Sequence, residues 1–243
     1  VLAAAGSSQF SRNAAASLTL AIFMFPMSEE LGWSRTLIAG AASAGGLASF
    51  AASPIVGWLV DRYGARVVLL VSVVILGVSV VSLAWATLPL TFFIAYGTAR
   101  LVFSSSIPIG GTVVVSRWFV KRRGRAIGFL FAAHSIGMTL FPLIAFLIIR
   151  YRNWQDAWIV LGGIVLLVAV VPVGVLIVQA PEDVGLRPDG GSSTDQVNRA
   201  DLPATPQEDG TWTIRGAVQT RTLWLLAVAG GLIFMVQAGT NIH

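Results

Sequence analysis

The 243-residue chain contains no cysteine, only two histidines and few charged residues. Without cysteine it can form no disulfide, no thiolate metal site and no thiol nucleophile. Its histidines, His134 and His243, are too far apart in sequence to form the clustered ligand set typical of a metal centre. Charged residues make up 11% of the chain, against about a quarter in soluble domains. We therefore expect no metal and no cofactor, and a protein whose main solvent is not water.

The sequence contains long apolar segments instead. Hydrophobic residues account for 56% of the chain, and the mean hydropathy is +0.80. About 20 apolar residues in a helix cross the roughly 30 Å hydrocarbon core of a bilayer. Six segments are long enough: 1–27, 36–60, 67–87, about 90–117, about 126–149 and about 157–179. The pattern predicts an all-α, polytopic membrane helix bundle with six transmembrane helices, in a first domain at 1–179.

Residues 180–221 interrupt this pattern. They contain four prolines, several glycines, and seven acidic residues against four arginines. Such a stretch cannot bury enough apolar surface to fold alone, so we interpret it as a linker. A seventh apolar segment, 222–243, is still running where the chain stops. Because the chain also begins at Val1 rather than methionine, we expect a fragment whose second half is missing.

A charged turn at residues 57–66 separates the second and third apolar segments. Gly64 allows the backbone a positive φ where one helix ends and the next begins. Asp61 lies at the C-terminus of its helix, where an acid is unfavourable for the helix dipole. It therefore needs a cation or the N-terminus of another helix nearby.

The short loops carry cations unevenly, which predicts the orientation of the chain. The side that includes the 57–66 turn holds seven cations and the other side holds three. The seven are Arg62, Arg66 and the five cations of 117–125, and the three are Arg35, Arg150 and Arg152. Cytoplasmic loops carry an excess of Lys and Arg. We therefore predict a plasma (inner) membrane protein with a cytoplasmic amino terminus and linker. A net charge of +5 placed at membrane edges does not indicate nucleic-acid binding.

Six helices, a linker and a new helix resemble the first half of a major facilitator superfamily transporter with the start of its second half. The resemblance implies two three-helix repeats. It rests on the superfamily's loop signature between the second and third helices, matched here by Gly57, Leu59, Asp61, Arg62, Gly64 and Arg66. Arg100 resembles the arginine of a second signature, although Ser104 stands where that signature has glycine.

Within the superfamily, the chain is most similar to the monocarboxylate and oxalate/formate exchanger group. The similar residues are Trp118-Phe119, Lys121-Arg122-Arg123, Ala126, Gly128, Ser135, Gly137 and the early linker at 181–190. His134 departs from the group, which usually has glycine there. The resemblance implies a secondary active transporter that moves a small organic anion, a mono- or dicarboxylate, by alternating access. Protons are a second candidate solute.

Two arginines inside apolar segments are the centre of the predicted substrate site. An arginine at mid-bilayer costs roughly 2.5–3.5 kcal/mol on insertion scales, so it must face protein, water or an anion. A guanidinium offers paired donors that match the two oxygens of a carboxylate. We predict that both arginines bind the substrate and that nearby polar residues assist them. The predicted site comprises Arg12, Arg100, Gln9, Asn13, Ser104 and His134.

These residues also have structural interpretations. Arg12 would extend its side chain to the headgroups if it lay at the membrane edge. Arg100 would bond backbone carbonyls freed by Pro108 or by neighbouring turns. His134 would be a packed residue, or alternatively a proton carrier.

The resemblance assigns the residues of the 57–66 turn to gating rather than to binding. These are Gly57, Asp61, Arg62, Gly64 and Arg66. Asp61 would meet the positive end of a helix in the second half when the cytoplasmic side is closed. It should therefore look poorly paired in this chain. The alternative is that the turn serves only insertion and topology.

Other classes of function fit the sequence less well. An enzyme is not expected, because the acidic residues lie in turns and in the linker rather than inside the bundle. A channel would need rings of charge or a symmetric filter. A carrier of another small solute, or a non-transporting sensor or structural protein, stays open. The expected partners are the bilayer, the anion and the missing half of the transporter.

Overall fold

The structure is a computed structural model that describes residues 1–178, 185, 216 and 219–240, without the side chains of 227 and 233–240. Within these residues the chain is helical and contains no strand. Six helices are long and apolar enough to cross a membrane: α1 (Leu2–Leu31), α2 (Arg35–Tyr63), α3 (Ala65–Trp85), α4 (Pro89–Trp118), α5 (Arg123–Tyr151) and α6 (Trp154–Leu176). A further helix, α7, covers Arg221–Thr240.

The predicted all-α membrane bundle is confirmed, and the helices agree with the predicted segments to within a few residues. Most helices extend beyond the predicted apolar run, because a helix can continue past the hydrocarbon core into polar surroundings. α1–α6 belong to one compact unit, Val1–Ser192, and α7 to a second, Ser193–His243. Most of the predicted linker, 180–221, and His243 lie outside the described residues.

The three most extensive helix contacts join α2 to α4, α1 to α5 and α3 to α6. If α1–α3 and α4–α6 are equivalent repeats, exchanging them converts the α1–α5 pair into the α4–α2 pair. The same exchange leaves the α3–α6 pair unchanged. The contacts therefore follow a pseudo-twofold pattern in which α1 and α4 are equivalent.

Local residues fix the helix boundaries. Gly64 alone separates α2 from α3, and its φ of 85° confirms the predicted positive φ at this turn. Its N–H donates to the Val60 carbonyl at 3.0 Å, which satisfies one of the last carbonyls of α2. Ser34 caps the start of α2, where its Oγ accepts from the Leu37 N–H at 3.1 Å.

Glycines allow α3 and α6 to pack closely. A Cβ at Gly77 would lie 2.5 Å from Cδ2 of Leu166, and a Cβ at Gly162 would lie 2.8 Å from the Val81 nitrogen. Real Cβ atoms do not approach other atoms so closely. Each helix therefore presents a glycine to the other, and the pair forms a rigid support beside α1 and α4.

The far end of α1 is tied to the start of α6. The Glu30 carboxylate accepts from Nε1 of Trp154 at 2.7 Å and from Nε2 of Gln155 at 2.9 Å. An anion is favoured near a helix N-terminus, which is where both donors lie. Two helical turns before Glu30 and one turn after Trp154, Phe23 stacks on Trp158 with ring centroids 3.7 Å apart. These contacts join the C-terminal half of α1 to α6.

Candidate functional site

α1 is interrupted near its middle. Residues Arg12–Ala15 form a 3₁₀ turn, and Ala16 is extended, with ψ at 150°. α-Helical hydrogen bonding does not continue across an extended residue, so the Ala15 carbonyl turns to another helix. It accepts from the Tyr96 hydroxyl at 3.1 Å and from Nη1 of Arg100 at 3.4 Å, both on α4.

α4 is interrupted at the corresponding level by a π-helical segment, Val102–Ser106. Within it the Ile107 N–H donates to the Val102 carbonyl, five residues back. The next donor in this pattern would be residue 108, but Pro108 has no N–H. The Phe103 carbonyl is thus left without a helical donor, and Nη1 of Arg12 donates to it at 3.0 Å.

The two arginines exchange equivalent bonds. Arg12 donates to the residue three positions after Arg100, and Arg100 donates to the residue three positions after Arg12. Both also lie against the Phe103 ring, with their guanidinium carbons 4.8 and 4.5 Å from its centroid. Such contacts are favourable cation–π interactions. The exchange matches the pseudo-twofold pattern of the helix contacts, in which α1 and α4 occupy equivalent positions.

The positive charge of this pair is not neutralised by an acidic residue of the described chain. The ion pair among the described residues is Arg152–Asp156, and it lies at the start of α6. The Nε atoms of Arg12 and Arg100 are buried without a hydrogen-bond partner. Their Nη2 atoms have no partner among the described residues either, but they retain accessible surface. The site therefore combines two cations with unused donors.

The predicted polar neighbours of Arg12 act as links between helices. Gln9 is 4% exposed, and its Nε2 donates to the Ile107 carbonyl on α4 at 3.2 Å. Asn13 is fully buried, and its Nδ2 lies 3.0 Å from both Nδ1 and the carbonyl of His134 on α5. It also lies 3.1 Å from the Phe10 carbonyl. Their role as substrate donors stays a prediction, since in this conformation both amides bond the protein.

The other two predicted residues take different positions. His134 is half-buried, and its ring lies 6.4 Å from that of Phe103, so it belongs to the same cluster. Its Nδ1 accepts from Asn13, because the same amide nitrogen faces several carbonyl oxygens and must therefore be the donor. Ser104 is exposed, and its hydroxyl has no hydrogen-bond partner among the described residues.

Three glycines make room for the polar cluster. A Cβ at Gly45 of α2 would lie 2.6 Å from Cβ of Arg100. A Cβ at Gly111 would lie 2.6 Å from Nε2 of Gln9, and one at Gly137 would lie 2.7 Å from Nδ2 of Asn13. Each polar side chain is therefore set against a glycine of another helix. Phe103 was not predicted from the sequence, although a proline five positions later was a usable signal for its free carbonyl.

The charged side chains of the 57–66 turn, unlike those of this cluster, are exposed. Asp61, Arg62 and Arg66 are exposed, and Asp61 has no hydrogen bond or ion pair with the part of the chain that is described. Nη2 of Arg66 donates to the Gly174 carbonyl near the end of α6 at 3.0 Å. The guanidinium carbon of Arg62 lies 5.3 Å from the centroid of the Trp58 ring. The structure thus leaves the one acid of the turn available and anchors one of its two arginines.

Six apolar helices that could each cross a membrane, with two arginine side chains between them, define a multi-pass membrane protein. The family model of the Major Facilitator Superfamily matches residues 5–242. The chain belongs to this superfamily of transporters.

Named relatives are carriers of several kinds. The chain is 32% identical over 155 residues to "Probable anion transporter 6, chloroplastic" of Arabidopsis thaliana, covering 60% of this chain and 28% of that protein. It is 27% identical over 142 residues to "Monocarboxylate transporter 6" of Mus musculus, covering 56% and 28%. It is 30% identical over 97 residues to "Fujikurins efflux protein" of Gibberella fujikuroi, covering 39% and 20%. The chain thus spans well under half the length of each of these relatives.

Proposed function

We propose that this chain is part of a secondary active transporter that moves a small organic anion, a mono- or dicarboxylate, by alternating access. One observation carries the proposal: Arg12 and Arg100 lie together inside the bundle with no acidic partner among the described residues. An anion that entered between α1 and α4 would neutralise both charges. Its carboxylate oxygens match the paired donors of a guanidinium.

Two further observations support an anionic substrate. The unused Nε and Nη2 atoms supply donors that the protein itself does not satisfy. Two of the named relatives are an anion transporter and a monocarboxylate transporter, each matched over more than half of this chain. The interior charges and these relatives point to the same class of solute.

We assign the 57–66 turn to gating. Asp61 is exposed at the end of α2 without a partner in the described chain, so it is available to the N-terminus of a helix in the second half of the carrier. Contacts made on closing and broken on opening would let the two halves rock about the arginines. The excess of cations in the loops on one side supports a plasma (inner) membrane protein whose amino terminus, 57–66 turn and linker are cytoplasmic.

Uptake by the complete protein in liposomes tests the proposal. Radiolabelled formate, L-lactate, oxalate and succinate are supplied at two pH values, and uptake is compared for the wild type, Arg12→Ala, Arg12→Lys and Arg100→Ala. We expect saturable uptake of at least one of these anions, loss of it in both alanine variants, and partial recovery in Arg12→Lys. Unchanged uptake by correctly inserted Arg12→Ala and Arg100→Ala would reject the role of the charges.

A further inference from the structure

Two backbone carbonyl oxygens accept hydrogen bonds from the arginines. Nη1 of Arg12 bonds the Phe103 carbonyl, and Nη1 of Arg100 bonds the Ala15 carbonyl. A carbonyl oxygen carries partial negative charge and accepts the same N–H donors that a carboxylate oxygen would accept. Each guanidinium therefore donates to a backbone carbonyl in the way that it would donate to a carboxylate, but to a weaker acceptor.

These carbonyls are free only because both helices are interrupted. The Ala15 carbonyl is followed at once by the extended residue Ala16. The Phe103 carbonyl lies in the π segment and would need an N–H from residue 108, which is proline. The reciprocal exchange thus depends on one backbone break in α1 and one missing donor in α4.

Resting on the proposed function, we propose that the Phe103 and Ala15 carbonyls hold the two guanidiniums in place until a carboxylate displaces them, and that Pro108 sets the affinity by leaving the Phe103 carbonyl free. The two carbonyl bonds and the Phe103 ring stabilise the like charges beside each other. It also means that part of the binding free energy of the anion is used to break the Arg12–Phe103 bond. Pro108 acts through Phe103 and Arg12, so it is a positioning residue.

Restoring the missing donor tests this proposal. In Pro108→Ala the new N–H, or that of Ile107 in a regular α-helix, can donate to the Phe103 carbonyl. A carbonyl that also accepts a helical N–H is a weaker acceptor for Arg12, so the anion has a weaker bond to displace. The loss is comparable to the net contribution of one ordinary hydrogen bond, so the dissociation constant of a carboxylate should fall by about three- to tenfold. Pro142→Ala, which removes a proline inside α5, is the matched control and should change affinity by less than about twofold.

The complete protein in liposomes is titrated with oxalate and with L-lactate, and KM and the maximal uptake rate are measured separately. Tighter binding confined to Pro108→Ala supports the proposal. Unchanged or weaker binding in a Pro108→Ala protein with the melting temperature of the wild type overturns it. If Arg12→Ala abolishes uptake while Pro108→Ala leaves affinity unchanged, this inference fails and the proposed function stands. If Arg12→Ala transports normally, both fail.

A measurement on the wild type covers the case in which Pro108→Ala does not fold. Phenylalanine followed by serine occurs twice in this chain, at Phe10-Ser11 and Phe103-Ser104. In the complete protein, with any Phe-Ser pair outside this chain replaced, labelling phenylalanine carbonyls with ¹³C and serine nitrogens with ¹⁵N isolates these two carbonyls by solid-state NMR. Saturating oxalate should move the Phe103 carbonyl resonance upfield as it loses its donor. The Phe10 carbonyl, which accepts from Asn13, should not move. A Phe103 resonance that does not respond overturns the proposal.

Discussion

Two pairs of arginines in this protein contact carbonyl or aromatic groups, one pair inside the helix bundle and the other on its exposed surface. Inside the bundle, Arg12 and Arg100 donate to carbonyls that helix interruptions set free. At the turn, Arg66 donates to a carbonyl near the end of α6, and Arg62 lies beside Trp58. The turn arginines are exposed, so water satisfies their remaining donors. The interior pair differs in having buried Nε donors without a partner, and for that reason we propose that the anion binds to it rather than to the exposed pair.

The largest expected difference between the two pairs is in anion uptake after each pair is replaced by alanine. Arg12→Ala with Arg100→Ala should lower anion uptake by at least about 30-fold, because truncating buried hydrogen-bonded charges costs several kcal/mol. Arg62→Ala with Arg66→Ala should lower uptake by less than about tenfold, since exposed charges contribute little. Initial rates in liposomes, normalised to inserted protein, measure both. Equal losses for the two double variants would remove the distinction.

Gly137 should be needed at the interior site because only a residue without a side chain leaves room there for Phe10 and Asn13. In Gly137→Ala the new Cβ would meet the Phe10 carbonyl oxygen and Nδ2 of Asn13. Overpacking of this kind lowers the free energy of unfolding by about 3 kcal/mol at its upper range, and here it should also displace Asn13 from His134. Gly128→Ala is the control on the same helix, because a Cβ there meets nothing within 4 Å. Thermal unfolding in detergent should show a lower midpoint for Gly137→Ala alone.

Gly64 should matter to the turn through its backbone. With φ at 85° and ψ at 150°, it occupies a region that is essentially restricted to glycine. Gly64→Ala should therefore lower the free energy of unfolding by about 2 kcal/mol. Gly57→Ala adds the same methyl group within α2, into open space, and should have no comparable effect. Denaturant titration of both variants checks this, and equal stabilities would contradict the strain at Gly64.

Asp61 should have the smallest effect of the four. Asp61→Asn keeps the size of the side chain and removes its charge, so insertion should be unchanged. The lost interaction with a helix N-terminus in the second half is worth about 1 kcal/mol, or about fivefold in the rate of exchange between states. Counterflow and net uptake measured together report this rate. Wild-type values in both assays would support the alternative that the turn serves only topology.

Most of the fold was predictable because the bilayer restricts it strongly. Apolar segments of about 20 residues cross the hydrocarbon core as helices, because a helix satisfies all of its backbone hydrogen bonds within one segment. The positive φ of Gly64 was also predictable, since a turn of one residue between two helices excludes most side chains. Helix ends were less certain, because beyond the hydrocarbon core polar residues such as Arg35 and Tyr63 can be helical or not.

The sequence predicted the two arginines of the site and several polar neighbours, but not how they are bonded. Two arginines in apolar segments indicated an interior cationic site, but nothing in their spacing gave their partners. The kinds of interruption depend on packing between helices: α1 tightens into a 3₁₀ turn, whereas α4 widens into a π segment. Pro108 indicated a free carbonyl, yet the arginine that uses it comes from α1 rather than from the same helix. Gln9 and Asn13 illustrate the same point, since their burial against glycines could not be read from the sequence alone.

The most direct test of the central claim is whether the region between α1 and α4 is open to an anion. Since this chain has no cysteine, Ser104→Cys introduces one thiol at an exposed position of α4, and Ser105→Cys introduces one at a fully buried position beside it. The complete protein, with any other cysteines replaced, is treated with a charged, membrane-impermeant thiol reagent. We predict that Ser104→Cys reacts, that saturating oxalate or L-lactate slows its reaction, and that Ser105→Cys stays unmodified. A thiol at 104 that does not react, or whose reaction neither anion slows, would contradict an anion site beside the two arginines.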